Sequence, residues 1–271
     1  MNEIKVKRDI SYGNDTKNKL DIYFPRNENV NDAAIIDIHG GGWWQGDKAK
    51  EELMARRFVD DGYLVFVPNY RLADGNLKQN LYPTPVEDIE RVVDFALDSN
   101  YNFNQKKLGV FGSSSGGNLA VEMATRRGLP TVSWSGLLDF EGFFKAHPNI
   151  KSKKRVAIGK NQLSSEIDQD GADDAYYAWC IENYLGFDIN RKDLHEATVL
   201  NRFNENTGSL FLINSNNEFV PENEIEVAEA IMIANNRPVK KLVVEGSRHG
   251  EAYTDVAWEP TKMWFAKTLE I

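Results

Sequence analysis

One cysteine, Cys180, stands in the 271 residues, so no intramolecular disulfide can form. It has no Cys or His at metal-ligand spacing, which argues against a structural zinc, and it reads as a packing residue in a helix. Long apolar runs are missing as well. No stretch of about 18 apolar residues occurs, so no membrane span is expected. Met1 to Asp9 lack the apolar segment of a secretory leader, and a cytoplasmic location is the expectation. Positive charge is in deficit: 32 Lys and Arg against 41 Asp and Glu give a net charge of −9, which argues against nucleic acid and anionic membranes as partners. The one basic run, Lys151-Ser152-Lys153-Lys154-Arg155, reads as a solvated face. Repeats and low-complexity segments are absent. Histidine is scarce, with only His39, His147, His195 and His249. That scarcity narrows any search for a general base.

What is present is a chain 41% hydrophobic, enough for a sizeable core in one large α/β domain spanning 1–271. Residues 3–8 and 19–24 alternate as an antiparallel pair around the turn Gly13-Asn14-Asp15. The runs 33–38, 63–68, 107–111, 131–135, 209–214 and 239–244 read as further strands. Most are near-continuously apolar, as expected of strands buried on both faces. Helical patterns at 48–61, 84–98, 118–127, 222–236 and 255–269 separate them. This alternation predicts a mostly parallel sheet of about eight strands with helices on both faces. Residues 141–207 break it, with helical stretches near 172–185 and 192–200. An insertion this long is uncommon as plain loop and reads as a small cap over the strand ends.

The strand at 107–111 runs straight into Gly112-Ser113-Ser114-Ser115-Gly116, and a helix follows. A G-x-S-x-G on a strand-to-helix turn pushes its central serine above the sheet, at a helix N-terminus where backbone N–H groups converge. Glycine at 112 and 116 removes the Cβ atoms that would clash there.

A serine hydroxyl needs a base, the base needs an orienting partner, and the transition state needs donors for its oxyanion. His249 follows the last buried strand and comes last in order, as Ser…acid…His requires, so it is the candidate base. His147 and His195 lie in the insertion and read as surface residues; His39 reads as a brace for the glycines after it. Glu218 is the only carboxylate between the strand at 209–214 and Pro221, and is the candidate acid. Asp139, after the preceding strand, is its rival, with helix capping as its alternative role. Glu222 and Glu224 read as ordinary acidic residues of a first helical turn. The backbone amides of Gly41, Gly42 and Ser115 are the candidate oxyanion donors. Trp43 and Trp44 are candidate substrate contacts. No metal or cofactor site is expected.

Together these blocks resemble α/β-hydrolase-fold carboxylesterases, in particular the hormone-sensitive-lipase-like and feruloyl-esterase-like group. His39-Gly40-Gly41-Gly42-Trp43 is similar to that family's oxyanion motif, and Gly112-Ser113-Ser114-Ser115-Gly116-Gly117-Asn118-Leu119-Ala120 to its nucleophile block. Asn69-Tyr70-Arg71-Leu72-Ala73 and Tyr82-Pro83-Thr84-Pro85-Val86-Glu87-Asp88 resemble its intervening segments. Three positions depart: Ser113 stands where Asp is common, Ser115 where Ala is common, and Glu218 opens a loop that commonly begins with Asp. The resemblance implies a serine esterase acting on a small-molecule ester, short-chain or aryl, with Ser114 as nucleophile. An arylformamidase-type amide hydrolase of the same fold is the alternative. A catalytically inactive binding protein is a third reading, although every position of the constellation is filled.

Overall fold

A computed structural model describes residues 4–26, 31–156 and 171–271. Its strands are β1 (Val6–Ser11), β2 (Lys19–Tyr23), β3 (Ala34–Ile38), β4 (Leu64–Pro68), β5 (Leu108–Ser113), β6 (Thr131–Trp134), β7 (Leu210–Ser215) and β8 (Val239–Val244). They form one eight-stranded sheet in the order β1-β2-β4-β3-β5-β6-β7-β8. The β1–β2 and β2–β4 pairs are antiparallel, and all others are parallel. This is the mostly parallel eight-stranded sheet that the strand pattern predicts.

Successive side chains of a strand point to opposite faces, and here both faces are covered. Ile36, Phe66 and Val110 pack on one side with α2 (Thr84–Asp98) and α3 (Ser115–Arg127). Their neighbours Ile35, Val65 and Phe111 pack on the other with α1 (Glu52–Asp60) and α8 (Thr254–Thr268). On the first side α7 (Asn223–Ala234) covers Leu210 and Leu212 of β7. The helix α2 opens with proline in its first turn and buries Val86, Ile89, Val93 and Ala96 at three- and four-residue spacing.

Strand β1 differs from expectation: it lies at Val6–Ser11, not 3–8. It is an edge strand with most of its residues exposed, so its alternation carries little burial signal. Its pairing with β2 also shifts register between Lys7 and Ile10, where Asp9 takes φ +56° and its N–H donates to Asp21 Oδ1 at 2.9 Å. The expected helix 48–61 is a 3₁₀ turn, Lys48–Glu51, followed by α1.

Between β6 and β7 lie α4 (Phe140–Ala146), α5 (Asp174–Leu185) and α6 (Arg191–Ala197). Residues 157–170 of the expected insertion lie outside the described residues. The helix α5 is buried almost all round, and Tyr177, Ile181 and Tyr184 join the main core. Among the described residues no helix is long and apolar enough to cross a membrane.

Glu224 is not the ordinary first-turn acid that its position suggests. It is 1% exposed and accepts hydrogen bonds from the N–H groups of Leu138 and Asp139 and from the Tyr177 hydroxyl. It therefore ties α7, the chain after β6 and α5 together. Burial pushes its carboxyl up to about 7, against the pull of those donors. A carboxyl raised in the fold takes up a proton on folding. Its contribution is intact below about pH 4.5 and falls by about 3 kcal/mol as pH rises to about 7. Glu224→Gln should flatten this part of the curve of Tm against pH. An unchanged slope would refute the assignment.

Candidate active site

The site forms where the chain leaves the carboxyl ends of β3, β5, β7 and β8. After β5, Ser114 takes φ +56° and ψ −126°, a conformation that L residues rarely adopt. Close backbone approach enforces it. A Cβ at Gly112 would lie 2.3 Å from the Gly116 carbonyl oxygen, and one at Gly116 would lie 2.1 Å from that of Ile38. The Ser114 hydroxyl makes no capping bond to α3.

The glycine loop follows β3. Gly41 and Gly42 have φ of +122° and +58°, and the N–H groups of Trp44 and Gln45 donate to the Gly41 carbonyl at 3.3 and 3.1 Å. His39 braces this loop. Its ring stacks on Tyr70 with centroids 4.3 Å apart, and the Tyr70 hydroxyl donates to the His39 carbonyl at 3.1 Å. Burial pushes the imidazole down to about 4, so it is neutral in ordinary buffers. The residues flanking Tyr70 anchor the same region: Asn69 accepts from the Lys48 N–H, and Arg71 grips Asp88 through Nε and an outer nitrogen at 2.8 and 2.7 Å.

His249 and Glu218 meet directly, Nδ1 to Oε2. The other oxygen of Glu218 accepts from the Ser215 N–H at 2.8 Å and the Ser135 hydroxyl at 2.7 Å. The same Ser135 oxygen accepts from the Gly250 N–H at 2.9 Å. Ser135 thus joins the acid loop to the histidine loop. Phe219 packs on the His249 ring with centroids 4.4 Å apart. Asp139, the rival acid, caps α4 by accepting from the Gly142 N–H at 2.9 Å.

Ser114, His249, Gly41 and Gly42 all line one cavity of about 100 Å³; Tyr176 and Cys180 of α5 form part of its wall. The Cys180 thiol is buried and pushed up to about 12, which makes it an unreactive wall residue. Ser115 opens α3 beside Ser114. The structure keeps Trp43 away from the cavity. It is fully buried, stacked on Tyr184 at 4.3 Å and edge-on to Phe140, because it belongs to the core under α5. Trp44 lies outside the cavity wall too, against Trp179, with Lys154 over its ring at 4.4 Å. The basic run is therefore not wholly a solvated face, and Arg155 reaches the cavity wall. His147 is half-buried against the Phe143 carbonyl, and His195 is exposed beside Glu141. Among the described residues no cluster of three or more His, Cys, Asp or Glu could hold a metal ion. Sequence reading missed Ser135 and Lys50, which also lines the cavity; neither sits in a motif.

A family model described as BD-FAE matches residues 20–160. A probable isoprenylcysteine alpha-carbonyl methylesterase of Oryza sativa subsp. japonica is 29% identical over 138 residues, covering 48% of this chain and 32% of that protein. The chain spans about a third or less of the length of the curated relatives it matches. Among solved structures, a truncated carbohydrate esterase from gut microbiota superposes with a TM-score of 0.75 at 16% identity, covering 98% of this chain and 97% of that one. An alpha/beta hydrolase enzyme from a Medee basin deep-sea metagenome library gives a TM-score of 0.66 at 17% identity, with 99% of both chains covered.

Ser135→Ala removes one donor from Glu218 and the acceptor for Gly250. Labelling of Ser114 by a fluorophosphonate, which reads the reactivity of its hydroxyl without any substrate, should slow about tenfold, the worth of one hydrogen bond to a charged group. An unchanged labelling rate would leave Ser135 a packing residue only.

Proposed function

The chain belongs to the BD-FAE family, and on that premise we propose that it is a serine carboxylesterase working through an acyl-enzyme on Ser114. The observation that carries this reading is the Glu218–His249 pair facing the cavity that also holds Ser114 on its strained turn.

The chemistry follows from the positions. The Ser114 hydroxyl gives its proton to His249 Nε2 as Oγ bonds to the ester carbonyl carbon. Glu218, bound at Nδ1, fixes the tautomer and stabilises the imidazolium. Negative charge builds on the carbonyl oxygen, and the amides of Gly41, Gly42 and Ser115 are the donors assigned to it. The carbon–oxygen bond to the alcohol breaks as His249 returns the proton to the leaving oxygen. Water repeats the sequence on the acyl-enzyme and frees the acid.

We assign the segment 141–207 the role of a cap. Tyr176 and Cys180 from α5 supply one wall of the cavity, and Tyr177 locks that helix to Glu224. A cavity of about 100 Å³ is well below the few hundred typical of drug-sized ligands, which favours short acyl groups.

A p-nitrophenyl ester series from acetate to decanoate tests both parts. Turnover should peak at the shortest chains, and Ser114→Ala should lower kcat by several orders of magnitude, on the scale of ~10⁶. Turnover that survives in the variant would sink the nucleophile, and a maximum at decanoate would sink the acyl preference.

A further inference from the structure

We propose, building on the esterase reading above, that Lys50 makes this cavity selective for esters that carry a carboxylate close to the scissile bond. Lys50 sits on the 3₁₀ turn that follows the glycine loop and is 2% exposed, yet it lines the cavity alongside His249 and Gly250. Its neighbour Lys48 is held at 2.6 Å by Asp21 and at 3.0 Å by Asp9. Among the described residues Lys50 has no such carboxylate, and its ammonium donates no hydrogen bond. Burial pulls its ammonium below the ordinary lysine value, and Glu251 and Asp47 oppose that only by their more distant charge. A buried cation without a partner is costly, and the open side of this one is the cavity.

The rest of the wall points the same way. The other cation there, Arg155, is already bound to Asp173 at 2.6 Å and lies over the Tyr176 ring. Among the described residues no Asp or Glu lines the cavity, although the chain carries nine excess negative charges. The composition alone would give the opposite wall. A neutral acceptor such as a hydroxyl would satisfy Lys50 less well, because a carboxylate takes its hydrogen bond and also neutralises the buried charge. The small volume requires the carboxylate to lie within a few bonds of the ester.

The test compares 3-acetoxybenzoate with 3-acetoxybenzamide, which share the acetyl group and differ in charge. For the wild type, kcat/KM should favour the anion by about tenfold, the worth of one charge-assisted hydrogen bond. Lys50→Met should bring that ratio to one or below, since the net negative charge of the protein then opposes the anion. The same ratio in both proteins, or a wild-type preference for the amide-bearing ester, would overturn the proposal. A second measurement avoids dependence on catalysis and on the folding of the variant. Calorimetry on the wild type should detect glutarate and not glutaramide, and equal binding of the two would overturn the proposal as well. Glutarate binding by a protein that cleaves no ester would remove the esterase reading and keep the anion site. Ester cleavage without charge preference would do the reverse.

Discussion

The backbone of Gly116 lies against the carbonyl ends of β3, and no side chain fits between them. That contact sets the distance between two loops that would otherwise move independently, the glycine loop after β3 and the turn after β5. Pairing of β3 with β5 brings both chains to the same edge of the sheet, from Ala34 beside Leu108 to Ile38 beside Gly112. The close approach then turns Ser114 out of the strand and holds it in a conformation that costs free energy locally. The sheet on both sides absorbs that cost, since β5 is buried along its whole length. Everything else at the site is arranged around a serine whose place the backbone has already fixed.

Glutamate where this resemblance leads one to expect aspartate changes how the acid is held. The longer side chain must be brought back toward the ring. Here Ser215 and Ser135 do so by gripping the oxygen that the histidine does not use. Ser135 itself takes φ +50°, an unusual value for serine, at the point where the chain leaves β6. Its hydroxyl sits between Glu218 and the Gly250 N–H, so displacement of either loop is felt by the other. The histidine loop and the acid loop are one hydrogen-bonded unit.

Which parts were legible in the sequence follows from the range of the contacts involved. Strands β3, β4 and β5 are buried on both faces, so a short apolar run announces them. Ser114, Glu218 and His249 are readable as candidates because each directly follows a strand and their order along the chain is constrained. Edge strand β1 was placed three residues early because an exposed strand has no face to mark. Glu224 looks like any first-turn glutamate, and only contact with Tyr177 from α5, 47 residues away in the chain, makes it a buried bridge. Trp43 follows the glycine loop and invites a substrate role, but Tyr184 from the same helix covers it. Lys50 lies two residues from a lysine that is ordinarily paired, and nothing local separates them. The misreadings of Glu224 and Trp43 depend on partners brought in from far along the chain, and α5 supplies both.

Three carboxyls, Asp37, Glu51 and Glu251, are buried close enough to act on one another, and among the described residues no acid lines the cavity. Burial pushes Asp37 and Glu51 well up, and the charge of Glu251 pushes them further. Two of the three therefore favour holding their protons, which limits how much negative charge collects beside Lys50. Fully ionised, the cluster would cancel the cation's field in the cavity and raise the cost of burial. Glu251 also accepts from the Ser113 hydroxyl at 3.4 Å, one residue before Ser114. Glu251 stands two residues after His249, so this contact joins the histidine loop to β5. Glu251 thus links the histidine loop to β5, as Ser135 links it to the Glu218 loop.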